Sequence, residues 1–253
     1  MITCYFTATG NCLYVARRIG GELMSIPQLM RQDEIVLEDE TVGIVCPVYA
    51  VEMPCMVREF MRRARIECDY LFFVYTYGMG YAEAFIQAEL AAREKGLSIS
   101  YHAAVQMVDN YLPVFDMAEQ IDTLPEKDVE GQLERICADI AARGISKVEV
   151  TEAKVAAMEH WHATHAAKIL RKDTALGYRV NGDCILCGTC ARVCPAGNVE
   201  VTAAGVAFGG ECEVCYACLH NCPKSAIHLP VEAGTTHFRN ENVRLADIIA
   251  ANG

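Results

Sequence analysis

The sequence has no apolar run approaching the ~18 residues that a membrane-crossing helix needs, so a spanning segment is excluded. Its opening residues, Met-Ile-Thr-Cys-Tyr-Phe, lack a basic segment followed by an apolar stretch. An export signal is therefore not expected, and a reducing, cytoplasmic setting is. Positive charge is scarce. There are 22 Lys and Arg against 33 Asp and Glu, a formal charge of −11, which argues against binding a nucleic-acid backbone. A hydrophobic content of 53% excludes disorder. What the 253 residues hold in excess is cysteine, 14 in all. In a reducing compartment cysteine clusters are ligands or catalysts rather than staples.

The distribution of those cysteines divides the chain. Six (Cys4, Cys12, Cys46, Cys55, Cys68 and Cys137) are scattered, and eight lie between Cys184 and Cys222. Residues 1–150 alternate continuous apolar segments with amphipathic stretches. Ile2–Phe6, Val42–Val48, Tyr70–Tyr75 and part of Ser98–Met107 read as strands. One more strand belongs between Leu23 and Thr41, at Met24–Pro27 or Glu34–Leu37. Helical stripes run through Leu13, Ala16, Ile19 and Leu23, and from Pro54 through Val57, Phe60 and Met61. Further stripes run through Phe85, Ile86 and Leu90, and from Pro125 through Val129, Leu133, Ile136 and Ile140. Such alternation implies a parallel sheet covered on both faces. Residues 151–173 read as a connecting helix carrying the only Trp, Trp161, to which no chemistry is assigned. Residues 174–230 lack periodicity for a core and need a staple other than packing. Residues 231–253 read as a packing tail with one helical stripe.

The staple is legible. Cys184-x2-Cys187-x2-Cys190-x3-Cys194-Pro195 recurs 28 residues later as Cys212-x2-Cys215-x2-Cys218-x3-Cys222-Pro223. This is the bacterial run that holds [4Fe–4S] clusters. Three thiolates two residues apart on a tight loop cap three corners of one cube, and the fourth, held before a proline, turns to the other. One cluster is expected on Cys184, Cys187, Cys190 and Cys222, and the second on Cys212, Cys215, Cys218 and Cys194. Zinc ribbons use two CxxC pairs and do not require this run.

Between the first strand and the first helix stands Thr7-Ala8-Thr9-Gly10-Asn11-Cys12. A loop entering a helix N-terminus presents free N–H groups to a phosphate, and Thr7 and Thr9 add hydroxyls. There is no P-loop lysine and no GxGxxG, so ATP and dinucleotides are disfavoured and the monophosphate of FMN fits. Pro47-Val48-Tyr49-Ala50 and Thr76-Tyr77-Gly78 end later strands at the same sheet edge. Both offer aromatic faces and backbone partners to a flat ring. Asn110, in Asp109-Asn110-Tyr111, ends the last strand there. Cys12, at a helix start, is a position where a thiol pKa can fall.

On these motifs the first 150 residues resemble flavodoxin-like domains, and residues 184–223 resemble the two-cluster bacterial ferredoxin. Together they resemble the bacterial flavodoxin–ferredoxin fusion proteins. The resemblance implies a doubly wound α/β fold, a five-stranded parallel sheet in the order 2-1-3-4-5 with FMN at the switch point, plus a small α+β ferredoxin domain. Where Cys12 stands the family usually has Ser or Thr. The implied function is electron transfer between FMN and two [4Fe–4S] clusters, coupling two-electron to one-electron chemistry with an external redox protein. The acidic chain would suit a basic docking patch on that partner. A flavin-dependent reductase of a small organic substrate is one alternative, and an iron–sulfur module with an empty docking domain is another.

Overall fold

The computed structural model describes all 253 residues. Strands β1 (Ile2–Tyr5), β2 (Glu22–Ser25), β4 (Thr41–Pro47), β6 (Tyr70–Tyr77) and β7 (Tyr101–Gln106) form a five-stranded sheet, all neighbours parallel. Its order is β2-β1-β4-β6-β7. Counted within the sheet alone this is 2-1-3-4-5, because β3 (Val36–Glu38) and β5 (Arg65–Glu67) pair separately. Both segments offered for the poorly marked strand are thus extended in part, but only Glu22–Ser25 joins the sheet. Strand β6, between β4 and β7, is buried until its last residue, as a sheet covered on both sides demands. Gly43 on β4 is obligatory, because a Cβ there would lie 2.0 Å from the Phe72 ring.

Helices α1 (Asn11–Ile19), α2 (Ile26–Leu29), α3 (Cys55–Arg63), α4 (Ala82–Glu94), α5 (Met117–Asp122) and α6 (Val129–Ala141) make the crossovers and flank. Helix α1 packs with α6 and α3 with α4, as right-handed crossovers leaving β1 in two directions require. Two helical expectations are corrected. Leu23 is not on α1 but on β2, because Gly20 and Gly21, both at positive φ, end the helix. Pro125 does not open α6. It sits in a separate 3-10 turn, and α6 begins at Val129, where the Asp128 carboxylate accepts the Gly131 N–H.

The expected connecting helix runs continuously from Glu152 to Ile169, shorter than expected and with a π turn in its middle. α7 (Glu152–Trp161) passes through a π turn at His162–Ala166 into α8 (Ala167–Ile169), and a 3-10 turn follows at Lys172–Gly177. The cysteine-rich segment then contains β8 (Arg179–Val180), α9 (Thr189–Arg192), β9 (Val199–Thr202), β10 (Gly205–Phe208), α10 (Ala217–His220) and β11 (Ile227–His228). β9 pairs with β10, and β11 returns to β8. The tail ends in α11 (Leu245–Asn252), which packs on α2 and α9. No helix is long and apolar enough to cross a membrane.

Candidate functional site

The 28-residue sequence repeat is also a backbone repeat. Leu186 and Val214, Gly188 and Tyr216, and Gly197 and Ser225 are pairs 28 apart, and all six residues have positive φ. Left-handed backbone at non-glycine positions is uncommon. Here it wraps each loop around a space and turns its amides inward. The Asn198 and Ala226 N–H groups donate to Cys194 and Cys222 Sγ at 3.3 and 3.4 Å, and Val214 N–H to Cys212 Sγ at 3.3 Å.

The cysteines separate into two cavities. Cys184, Cys187, Cys190 and Cys222 line one, with Ile227 and Val206. Cys194, Cys212, Cys215 and Cys218 line the other, with Tyr178 and Phe208. Each quartet takes its fourth member from the other run. Three thiols from one run plus a fourth from the other fit the corners of a cube, whereas zinc ribbons draw on two CxxC pairs. Burial drives the Cys215 and Cys218 thiols well above the usual range, while a hydrogen bond with Thr189 holds the Cys187 thiol below it.

At the carboxyl edge of the sheet the loops after β1, β4, β6 and β7 meet around a polar pocket. It is lined by Thr7, Ala8, Thr9, Asn11, Cys12, Pro47, Val48, Tyr49, Thr76, Tyr77, Gly78 and Asn110, joined by Val108 and Asp109. Two of the expected residues stand apart: Gly10 does not line this pocket, and Ala50 lines only its neighbour. Gly10 has φ 102°, and a Cβ there would come within 3.0–3.1 Å of Val243 and Asn240. Its freedom therefore admits the tail. Residues Thr7 through Leu13 are all buried, yet none of their N–H groups donates to another residue. The Thr7 hydroxyl is also buried without a partner. Orphaned buried donors are rare, and this set fits an anion such as a monophosphate. The Thr9 hydroxyl accepts from Asn110 Nδ2 at 2.9 Å, leaving its own proton free. Cys12 Sγ lies 3.1 Å from Thr76 Oγ1. Burial pushes its thiol up to about 12, reversing the fall expected at a helix start.

Beside this pocket, sharing Val48, Tyr49, Gly78, Asp109 and Asn110, lies a mainly apolar cavity of about 360 Å³, within the range of small-molecule sites. Several of its walls were given no site role from sequence: Trp161, Ile169 and Leu170 from the connector, and Val214 and Tyr216 from the second cysteine run. The Trp161 indole N–H donates to Ala50 O at 2.7 Å. It holds a turn in which Ala50 and Val51 have φ 50° and 70°, closed by Tyr49 and Glu52 through mutual N–H···O bonds of 2.8 and 2.9 Å. The one signal for Trp161 was its rarity. Tyr81 packs on Tyr77 and Phe85, outside both cavities.

The C-terminal half grips the sheet-edge loops directly. Buried His220 accepts the Phe238 N–H at Nδ1 (3.1 Å), so Nε2 donates to Asn110 O (2.9 Å), and burial pushes its pKa down to about 4. Glu213 accepts the Met56 N–H at 3.0 Å.

Residues 178–200 match the family of 4Fe-4S binding domains, so the chain carries a ferredoxin-type iron–sulfur binding segment there. No curated protein matches the chain. Among solved structures, one from Bacteroides uniformis ATCC 8492, provisionally named a flavoprotein, is similar at 13% identity over 42% of this chain and 88% of that one. Its TM-score of 0.33 carries no argument about fold or ligand.

Proposed function

We propose that this chain is an electron-transfer protein of the flavodoxin–ferredoxin fusion kind. Residues 1–150 would hold FMN, 151–173 connect, 174–230 hold two [4Fe–4S] clusters, and 231–253 pack across the junction. FMN, when bound, supplies two-electron chemistry and each cluster one-electron chemistry.

One observation carries the reading. Val214 and Tyr216 line the apolar cavity, while Cys215 between them lines the cavity of the Cys194, Cys212, Cys215 and Cys218 quartet. The wall between a ring site and a cluster site is then a single backbone segment. The other quartet shares no residue with the apolar cavity and includes exposed Cys187, which suits exchange with an external donor or acceptor protein. The formal charge of −11 supports a basic docking patch on that partner.

The roles of the chain's own groups follow. The N–H groups of Thr7–Leu13 and the Thr7 and Thr9 hydroxyls would bind the phosphate. Tyr49, Ala50, Gly78 and Asn110 would border the ring, and Trp161 and Tyr216 would exclude water from it. Inward amides at Cys194, Cys212 and Cys222 would set cluster potentials by donating to sulfur.

Protein purified without oxygen and assayed for flavin, iron and acid-labile sulfide is expected to contain FMN and about eight irons. Thr7→Val is expected to weaken flavin retention about tenfold, the worth of one buried charge-assisted hydrogen bond, with iron unchanged. A colourless, iron-free protein after reconstitution overturns the reading. Full iron with no flavin leaves an iron–sulfur module with an empty docking domain.

A further inference from the structure

Three consecutive carbonyls of the glycine loop are each held from the C-terminal half. Asn252 Nδ2 donates to Thr7 O at 3.0 Å, Asn221 Nδ2 to Ala8 O at 3.2 Å, and Asn240 N to Thr9 O at 2.8 Å. The same loop leaves its N–H groups free on the other side. One clamp, Asn221, is rooted in a cysteine turn, and Asn252 and Asn240 come from the tail. Asn221 and His220 lie between Cys218 and Cys222, which line different quartet cavities, so a cluster at each end would fix this turn. From it Asn221 reaches Ala8 and His220 reaches Asn110, two of the sheet-edge loops. The matching turn of the first run, Cys190–Cys194, reaches the loop too, because Asn252 Nδ2 also donates to Val193 O at 3.0 Å.

We infer that the phosphate loop and the cysteine quartets are one coupled unit, in which Asn221 is a positioning residue that lets cluster occupancy set flavin affinity. This rests on the cofactor reading above. Without iron the cysteine turns lose the groups that fix their ends, the Ala8 carbonyl loses Asn221, and Asn252 loses its anchor at Val193. The amides facing the phosphate then lose their fixed direction. Linkage makes the effect reciprocal, so bound flavin must hold iron in place.

The test uses the iron-loaded full chain, FMN and a graded chelator challenge. In the natural sequence, saturating FMN is expected to raise the chelator concentration that removes half the iron. Asn221→Leu keeps the side-chain volume and removes the donor. It is expected to bind FMN about tenfold more weakly, with unchallenged iron content unaltered, and to lose the protection of iron by FMN. A merely structural role would lower thermal stability and leave that protection intact. The inference is overturned if FMN does not change iron retention in the natural sequence, a measurement that needs no variant, or if Asn221→Leu retains both affinity and protection. A natural chain that holds no flavin or no iron instead defeats the cofactor reading.

Discussion

The sheet region and the cysteine-rich region solve the same problem by different means. The first supplies 39 of the 45 buried residues of one core, while the C-terminal part supplies ten of the 13 in a second core, among them Cys190 and Cys218. In the sheet region, apolar strands and helix stripes hide enough surface to hold the backbone. In the cysteine-rich region the elements are two to four residues long, too short to stand on packing. Cysteines occupy the places where a core would put leucine. The comparison teaches that one region is specified by periodicity and the other by ligand spacing.

The comparison breaks most sharply on iron. Removing it should unfold residues 180–230 and leave the sheet intact, because metal binding in such segments is folding free energy on the order of 10 kcal/mol. Limited proteolysis with circular dichroism should show cuts confined to that segment. Retained protection there would mean that packing suffices after all. The converse experiment is Phe73→Ala, which empties a fully buried site on β6. It is expected to cost about 3–5 kcal/mol, read as a lower urea midpoint for the sheet transition, with iron retained until that transition begins.

A smaller effect comes from pH. Burial lowers the His102 pKa, opposed by the hydrogen bond to Glu89 at 3.0 Å. Below the ordinary histidine range the unfolded chain therefore binds a proton that the folded chain resists, and stability falls as pH falls. The urea midpoint of the sheet transition should drop between pH 7 and pH 5. That drop should shrink in His102→Gln, and an unchanged slope would remove His102 as its source.

Much of this was legible in the sequence, and unevenly. The strands β1, β4, β6 and β7 were visible because a parallel sheet buried on both faces needs unbroken apolar runs. The quartets were visible because metal ligands fix spacing in the chain itself. β2 was obscure because its residues are largely half-exposed at the sheet edge. The start of α6 was misplaced because a proline at a first turn signals a helix equally well for a 3-10 turn. The pocket residues from Thr7 to Asn110 came together because each ends a strand on one edge. Trp161, Val214 and Tyr216 were missed because nothing local records what a side chain on a connector or a cysteine loop will face.

By itself, then, the amino-acid order determined that a parallel sheet precedes a cysteine-rich segment and that eight thiols fall in two like-spaced runs, since each depends on periods and spacings of a few residues. Only the tertiary structure decided that the tail and the cysteine turns would hold Thr7, Ala8 and Thr9. It likewise decided that Cys215 would form the wall beside an apolar cavity. Those contacts join residues more than 100 positions apart. The polar groups that make them are ordinary asparagines, whose partners are chosen by where the chain folds back.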